Sequence, residues 1–157
     1  MGKISLEMVD SLHPVVLMAL IAAGVALITT IIALRVGVPL RPSPKGAVIS
    51  ALPSFLMLLL FYSLAFHMYQ SLGGWPAGIG EAGFSPMLKT HAYAATNYMS
   101  FLLLLTVFVW PVVFLVCVLV RRWRGLVSYL GIYALSFVVS WCLFRLAPSR
   151  FLYWWWD

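Results

Sequence analysis

Residues 98–146 read YMSFLLLLTVFVWPVVFLVCVLVRRWRGLVSYLGIYALSFVVSWCLFRL. Two apolar runs of membrane-crossing length flank one short basic segment, Arg121 to Gly125, which carries Arg121, Arg122 and Arg124. About 20 apolar residues at 1.5 Å each cross a hydrocarbon core. The runs 98–120 and 126–146 both meet that length. The five-residue connector between them forces a tight antiparallel hairpin.

Working outward, the same pattern recurs. Pro14 to Leu34 is a run of 21 residues without a charge, and Ala47 to Tyr69 is another. The first is longer than the apolar core of a signal peptide and is preceded by Glu7 and Asp10 rather than a basic region. It is therefore read as an uncleaved span. The expected architecture is an all-α integral membrane protein, a bundle of four transmembrane helices in one domain over 1–157. The expected spans are 14–34, 47–69, 98–120 and 126–146, with a longer polar loop at 70–97.

Composition agrees with this reading. The chain is 64% hydrophobic and 9% charged, with a mean hydropathy of +1.03. A soluble domain carries about 25% charged residues. A net charge of +6 would suit nucleic acid, but six of the ten basic residues sit in two short loops, as Arg35, Arg41, Lys45 and Arg121, Arg122, Arg124. Basic loops stay in the cytoplasm, so the charge is a topology signal and not a nucleic-acid face. Both termini and the loop 70–97 then lie outside. The short loops suggest a bacterial cytoplasmic (inner) membrane.

Local signals refine the picture. The connector Arg35 to Gly46 holds three prolines and two glycines and is expected to be irregular. Pro53 in the second span and Pro111 in the third should each bend their helix. In loop 70–97 the first half is glycine-rich. Ser85 and Pro86 offer an N-cap and first helical position, giving a short outer interfacial helix over 85–96 that could run into the third span. The closing FLYWWWD should lie at headgroup level.

Groups capable of chemistry are few. The four acidic residues, Glu7, Asp10, Glu81 and Asp157, all lie outside the spans. Ion-coupled transporters place carboxylates near mid-membrane, so this pattern counts against one. His13, His67 and His91 fall at the outer boundary and form the candidate metal-ligand set. The first reading of the three rings is interfacial hydrogen bonding with no cofactor; the alternative is a transition ion, or a haem held by His13 and His67. No HxxxH, ExxH or CxxCH spacing strengthens it. No GxSxG, P-loop or dinucleotide fingerprint is present.

The remaining polar residues read as packing devices. Arg145 is expected to snorkel outward, the rival being a pair with Glu81 or the terminal carboxylate. Ala22, Ala26, Thr30 and Ala33 on span one, and Ser136 and Ser140 on span four, are small-residue stripes at which helices approach closely. Ser50, Ser54, Ser63, Ser100 and Thr106 are expected to bond back to their own helices. Cys117 and Cys142 lie at opposite depths, too far apart for a disulfide.

Three functional readings follow. The first is a non-enzymatic accessory, assembly or interaction subunit of a membrane complex or a homo-oligomer, with the bilayer, other membrane subunits or itself as partners. The second is a small channel or transporter. The third is a metal- or haem-binding redox subunit with ligands at the outer face.

Overall fold

In the computed structural model the described residues are 42–76, 78 and 80–156, together with Gly24, Leu27, Ile28, Ile31, Ile32, Leu34, Arg35 and Gly37. All regular structure among them is helical. Helix α1 is Pro44–Leu72 and α2 is Pro86–Leu104. A π turn, Leu105–Val109, joins α2 to α3, Trp110–Leu119. A 3-10 segment, Arg121–Leu126, leads into α4, Val127–Phe144, and the short α5 is Ser149–Trp156.

Three helices are long and apolar enough to cross a membrane: Pro44–Leu72, Pro86–Leu119 and Arg121–Phe144. They correspond to the second, third and fourth expected spans. The first expected span, with its stripe of Ala22, Ala26, Thr30 and Ala33, lies outside the described residues apart from the positions named above.

Helix α1 begins earlier than the sequence pattern implies. Ser43 caps it, its hydroxyl accepting from the Gly46 amide at 3.2 Å, and Pro44 takes the first turn. Proline is tolerated there because that N–H has no partner inside the helix anyway. The expected irregularity through Gly46 is thus corrected: Pro44 starts the helix. Gly46 is needed for another reason. A Cβ at this position would collide with the Tyr129 ring, which packs against the backbone and bonds Ser43 through its hydroxyl. Gly73, at φ +68°, closes α1 in the left-handed conformation that glycine adopts without a Cβ penalty.

The Ser85–Pro86 start is found as expected, with Ser85 Oγ accepting from the Leu88 amide at 3.2 Å. The helix it opens is not a separate interfacial element. It continues unbroken through the π turn to Leu119, so the expected short outer helix over 85–96 is the first part of the third span. Pro111 accounts for the π turn: with no amide and a ring that crowds the preceding turn, it favours a wider turn just before it. The amphipathic surface helix is instead α5, whose Phe151 is fully buried while Tyr153 is exposed.

Helix α1 packs along α4 and, over its second half, against α2. The α1–α4 seam is polar at its centre. Ser54 is wholly buried; its hydroxyl accepts from Ser136 and its carbonyl from Ser140, each at 3.2 Å. The expectation that Ser54 bonds only its own helix is therefore corrected, and the Ser136–Ser140 stripe is the seam itself. Ser50 and Thr106 do bond back, to Gly46 and Leu102, although Thr106 also meets the Tyr133 hydroxyl. Trp110 donates its indole N–H to the Leu130 carbonyl at 3.1 Å and fixes α3 on α4. Between lipid-soluble helices hydrophobic burial gives little net drive, so close packing and such bonds, worth about 0.6 kcal/mol on average and up to about 1.7, hold the seams.

At the end bearing α5, aromatic rings close the bundle. Phe61 stacks on Phe144 with centroids 4.1 Å apart and meets Phe151 and Trp155 edge-on at 5.1 Å. Trp154 donates to the Gly80 carbonyl at 3.0 Å and ties α5 to the loop before α2. Arg145 is exposed at the end of α4, its guanidinium 6.0 Å from the Trp156 ring centroid. Glu81 pairs instead with Lys89, at 3.2 Å. At the opposite, basic end, Cys117 packs with Val127 beside the 3-10 turn. Both cysteines are free.

Candidate functional site

Ser63 and His67 stand four residues apart on α1, hence on one helix face. That face meets the first turns of α2, where His91 follows the Ser85–Pro86 start. The two imidazoles come into direct contact, Nδ1 to Nδ1 at 3.0 Å, with ring centroids 5.3 Å apart and planes inclined by 35°. His91 Nε2 lies 3.1 Å from Ser63 Oγ.

Two proton arrangements satisfy these bonds, because either imidazole can be the donor across the 3.0 Å contact. In one, the Ser63 hydroxyl donates to the Leu60 carbonyl at 3.1 Å, His91 donates Nε2–H to Ser63, and His67 donates Nδ1–H to His91 Nδ1. In the other, Ser63 donates to His91 Nε2 and His91 donates Nδ1–H to His67 Nδ1. Both rings are half-buried.

Of the sequence-derived set, the structure brings His67 and His91 together. His13 lies outside the described residues, as does Asp10, and with His13 goes the haem pairing with His67. No porphyrin fits between His67 and His91 themselves, because their nitrogens are in hydrogen-bond contact. Glu81 is engaged elsewhere: it accepts from Tyr93 and pairs with Lys89, and these contacts, the tyrosine first, hold its carboxyl below the ordinary carboxylate range. Among the described residues no group of three or more His, Cys, Asp or Glu side chains converges.

Ser63 is the member of this constellation that the sequence pattern presents only as a hydroxyl bonded to its own helix. The spacing Ser63-x-x-x-His67 is the signal that could have found it, because it points both side chains at the same neighbour.

No protein-family model, no curated protein and no solved structure matches this chain.

Proposed function

We propose that this chain is a non-enzymatic subunit of a membrane assembly, working as an accessory or assembly component or as a homo-oligomer. The observation that carries the proposal is the disposal of polar groups. Ser54, Ser136, Ser140, Thr106, Tyr133, Trp110 and Tyr98 are spent on bonds between helices. Outward-facing positions such as Phe55, Leu59, Phe66, Phe108, Val112 and Leu115 are apolar along the spans. A bundle that turns its polar groups inward and uses them to fix its own packing is left with lateral contact as its means of action. In this reading the chain has four spans in a bacterial cytoplasmic membrane, which the short loops support, with both termini outside, which the basic loops support.

Purification of the full chain in lipid nanodiscs, followed by native mass measurement and identification of copurifying membrane proteins, tests the proposal. A defined oligomer or a stoichiometric partner is expected. A lone monomer that conducts ions or carries solute in liposomes would refute it. Reporter fusions test the topology: positions Pro44 and Trp123 should report cytoplasm, and Gly80 and the end of the chain the outside. A reversed pair refutes the orientation.

A further inference from the structure

We infer that the contact between His67 and His91 is a binding site for one exchangeable divalent transition ion of the Zn²⁺ or Cu²⁺ kind, held between α1 and α2 by the two Nδ1 atoms. The inference is independent of the subunit reading above. The two Nδ1 atoms face each other across the seam at 3.0 Å, with a single proton between them. Imidazole nitrogen is the ligand these ions favour. Tetrahedral Zn²⁺ with bonds of about 2.0–2.1 Å sets two nitrogens about 3.3–3.4 Å apart. The present gap therefore needs to open by only a few tenths of an ångström, within reach of small side-chain rotations.

The exchange balances. Whichever imidazole carries its proton on Nδ1 moves it to Nε2, remaining neutral, and the ion takes the place that proton held. No oxidant or further base is required.

The outer partner is already built. A metal-bound histidine characteristically donates its other ring N–H to a neighbouring acceptor, which fixes tautomer and aim. With an ion on Nδ1, His91 carries its proton on Nε2, 3.1 Å from Ser63 Oγ, and that oxygen accepts while its own proton goes to the Leu60 carbonyl, also at 3.1 Å. Structural zinc sites close the sphere with four protein ligands. Two imidazoles leave positions for solvent or an incoming ligand, so the ion held here exchanges.

The test uses the full chain in nanodiscs, stripped with chelator and titrated with Zn²⁺ or Cu²⁺ alone. Bound metal is counted after equilibrium dialysis, and the Cu²⁺ form is examined by electron paramagnetic resonance. The expected result is one ion per chain in excess of the His67→Gln/His91→Gln double variant, with hyperfine couplings from two imidazole nitrogens. Ser63→Ala should keep the stoichiometry and weaken binding about tenfold, at the low end for loss of an outer partner. Near-ultraviolet circular dichroism of the tryptophans checks that each variant keeps its packing. Should the double variant unfold, the spectrum of the wild-type Cu²⁺ form decides the matter. Equal metal content in folded wild type and double variant, or a Cu²⁺ spectrum without two-nitrogen coupling, overturns the inference.

Discussion

Replacing Ser54 by leucine probes the centre of the α1–α4 seam. Ser54 has no solvent-exposed surface, and both its hydroxyl and its carbonyl accept bonds from α4, from Ser136 and Ser140 at 3.2 Å. The substitution acts twice. It removes one acceptor between the helices, worth about 0.6 kcal/mol on average in a membrane bundle. It also puts a branched pair of methyl groups where a single hydroxyl stood, and overpacking costs about 1–3 kcal/mol. Ser54→Leu should therefore destabilise by about 1.6–3.6 kcal/mol, summing the two effects. Ser54→Ala, which loses the bond without adding bulk, should cost about 0.6 kcal/mol. Val48→Leu on the same helix, at a position 66% exposed, should cost nothing measurable. Unfolding in mixed micelles of mild detergent and dodecyl sulfate, followed by far-ultraviolet circular dichroism, ranks the three. If Ser54→Leu unfolds at the same detergent fraction as Val48→Leu, the seam is not packed as described.

Other outcomes follow from single contacts. Alanine in place of glycine ordinarily stabilises a helix by about 0.8–1.0 kcal/mol. Gly46→Ala should fail to do so, because the new methyl displaces Tyr129 from Ser43; hydrogen exchange at the Ser43 amide should accelerate, and a full stabilising gain would disprove the close approach. Glu81 has a carboxyl held below its ordinary value of 4.5 by Tyr93 first and then Lys89. A depressed folded value means that its contribution is present above 4.5 and is lost as the pH falls through that lower value. Exchange protection of residues 80–85 should fall in that acid window in the wild type and be independent of it in Glu81→Gln. Peptide mapping after oxidation should show no Cys117–Cys142 bridge within a chain. Alkylation should reach half-buried Cys142 faster than Cys117, which is 2% exposed, and equal rates would contradict the packing of Cys117 on Val127.

The long helices are legible in the sequence because hydropathy and the basic connectors carry them. Arg121 to Gly125 marks a hairpin by its charge and brevity alone, and Arg121–Leu126 is a short 3-10 segment. The start of α1 is harder to read, because the prolines around Ser43 have the look of helix breakers. Yet Ser43–Pro44 is the same cap-and-proline signal as Ser85–Pro86. The difference is context: three prolines in one connector mask the one that begins a helix.

The histidines are less legible. Sequence places His67 and His91 on one side of the membrane, but mutual contact depends on which way α1 and α2 turn about their axes, and composition is silent on that. The aromatic tail has the composition of a surface element. Its rings are nevertheless part of the packing, with Phe151 inserted beside Phe61, because an eight-residue helix can turn one edge inward while the other stays at the surface.

The π turn at Leu105–Val109 works as a joint in the helix numbering. Before it, His91, Ala95, Tyr98 and Leu102 mark the stripe turned toward α1 and the core, at spacings of three and four. Within and beyond it, Thr106, Trp110, Phe114 and Cys117 are the residues that engage α4 and its turn. The wide turn takes up one residue, so a continuous helix can offer one edge to α1 and a differently phased edge to α4. As it leaves α1, α3 also opens an apolar cleft of about 330 Å³ walled by Ile49, Pro53, Val113 and Leu130. Deleting a single residue from 105–109 would restore plain helical winding and keep the distal half in phase with the proximal half, because the wide turn already absorbs that residue. A second deletion would turn the distal half by about 100° and swing Trp110 away from the Leu130 carbonyl while His91 stayed in place. The joint is therefore a tolerance built into the span: one codon can be lost there without altering the grip at either end, and the next resets the basic end.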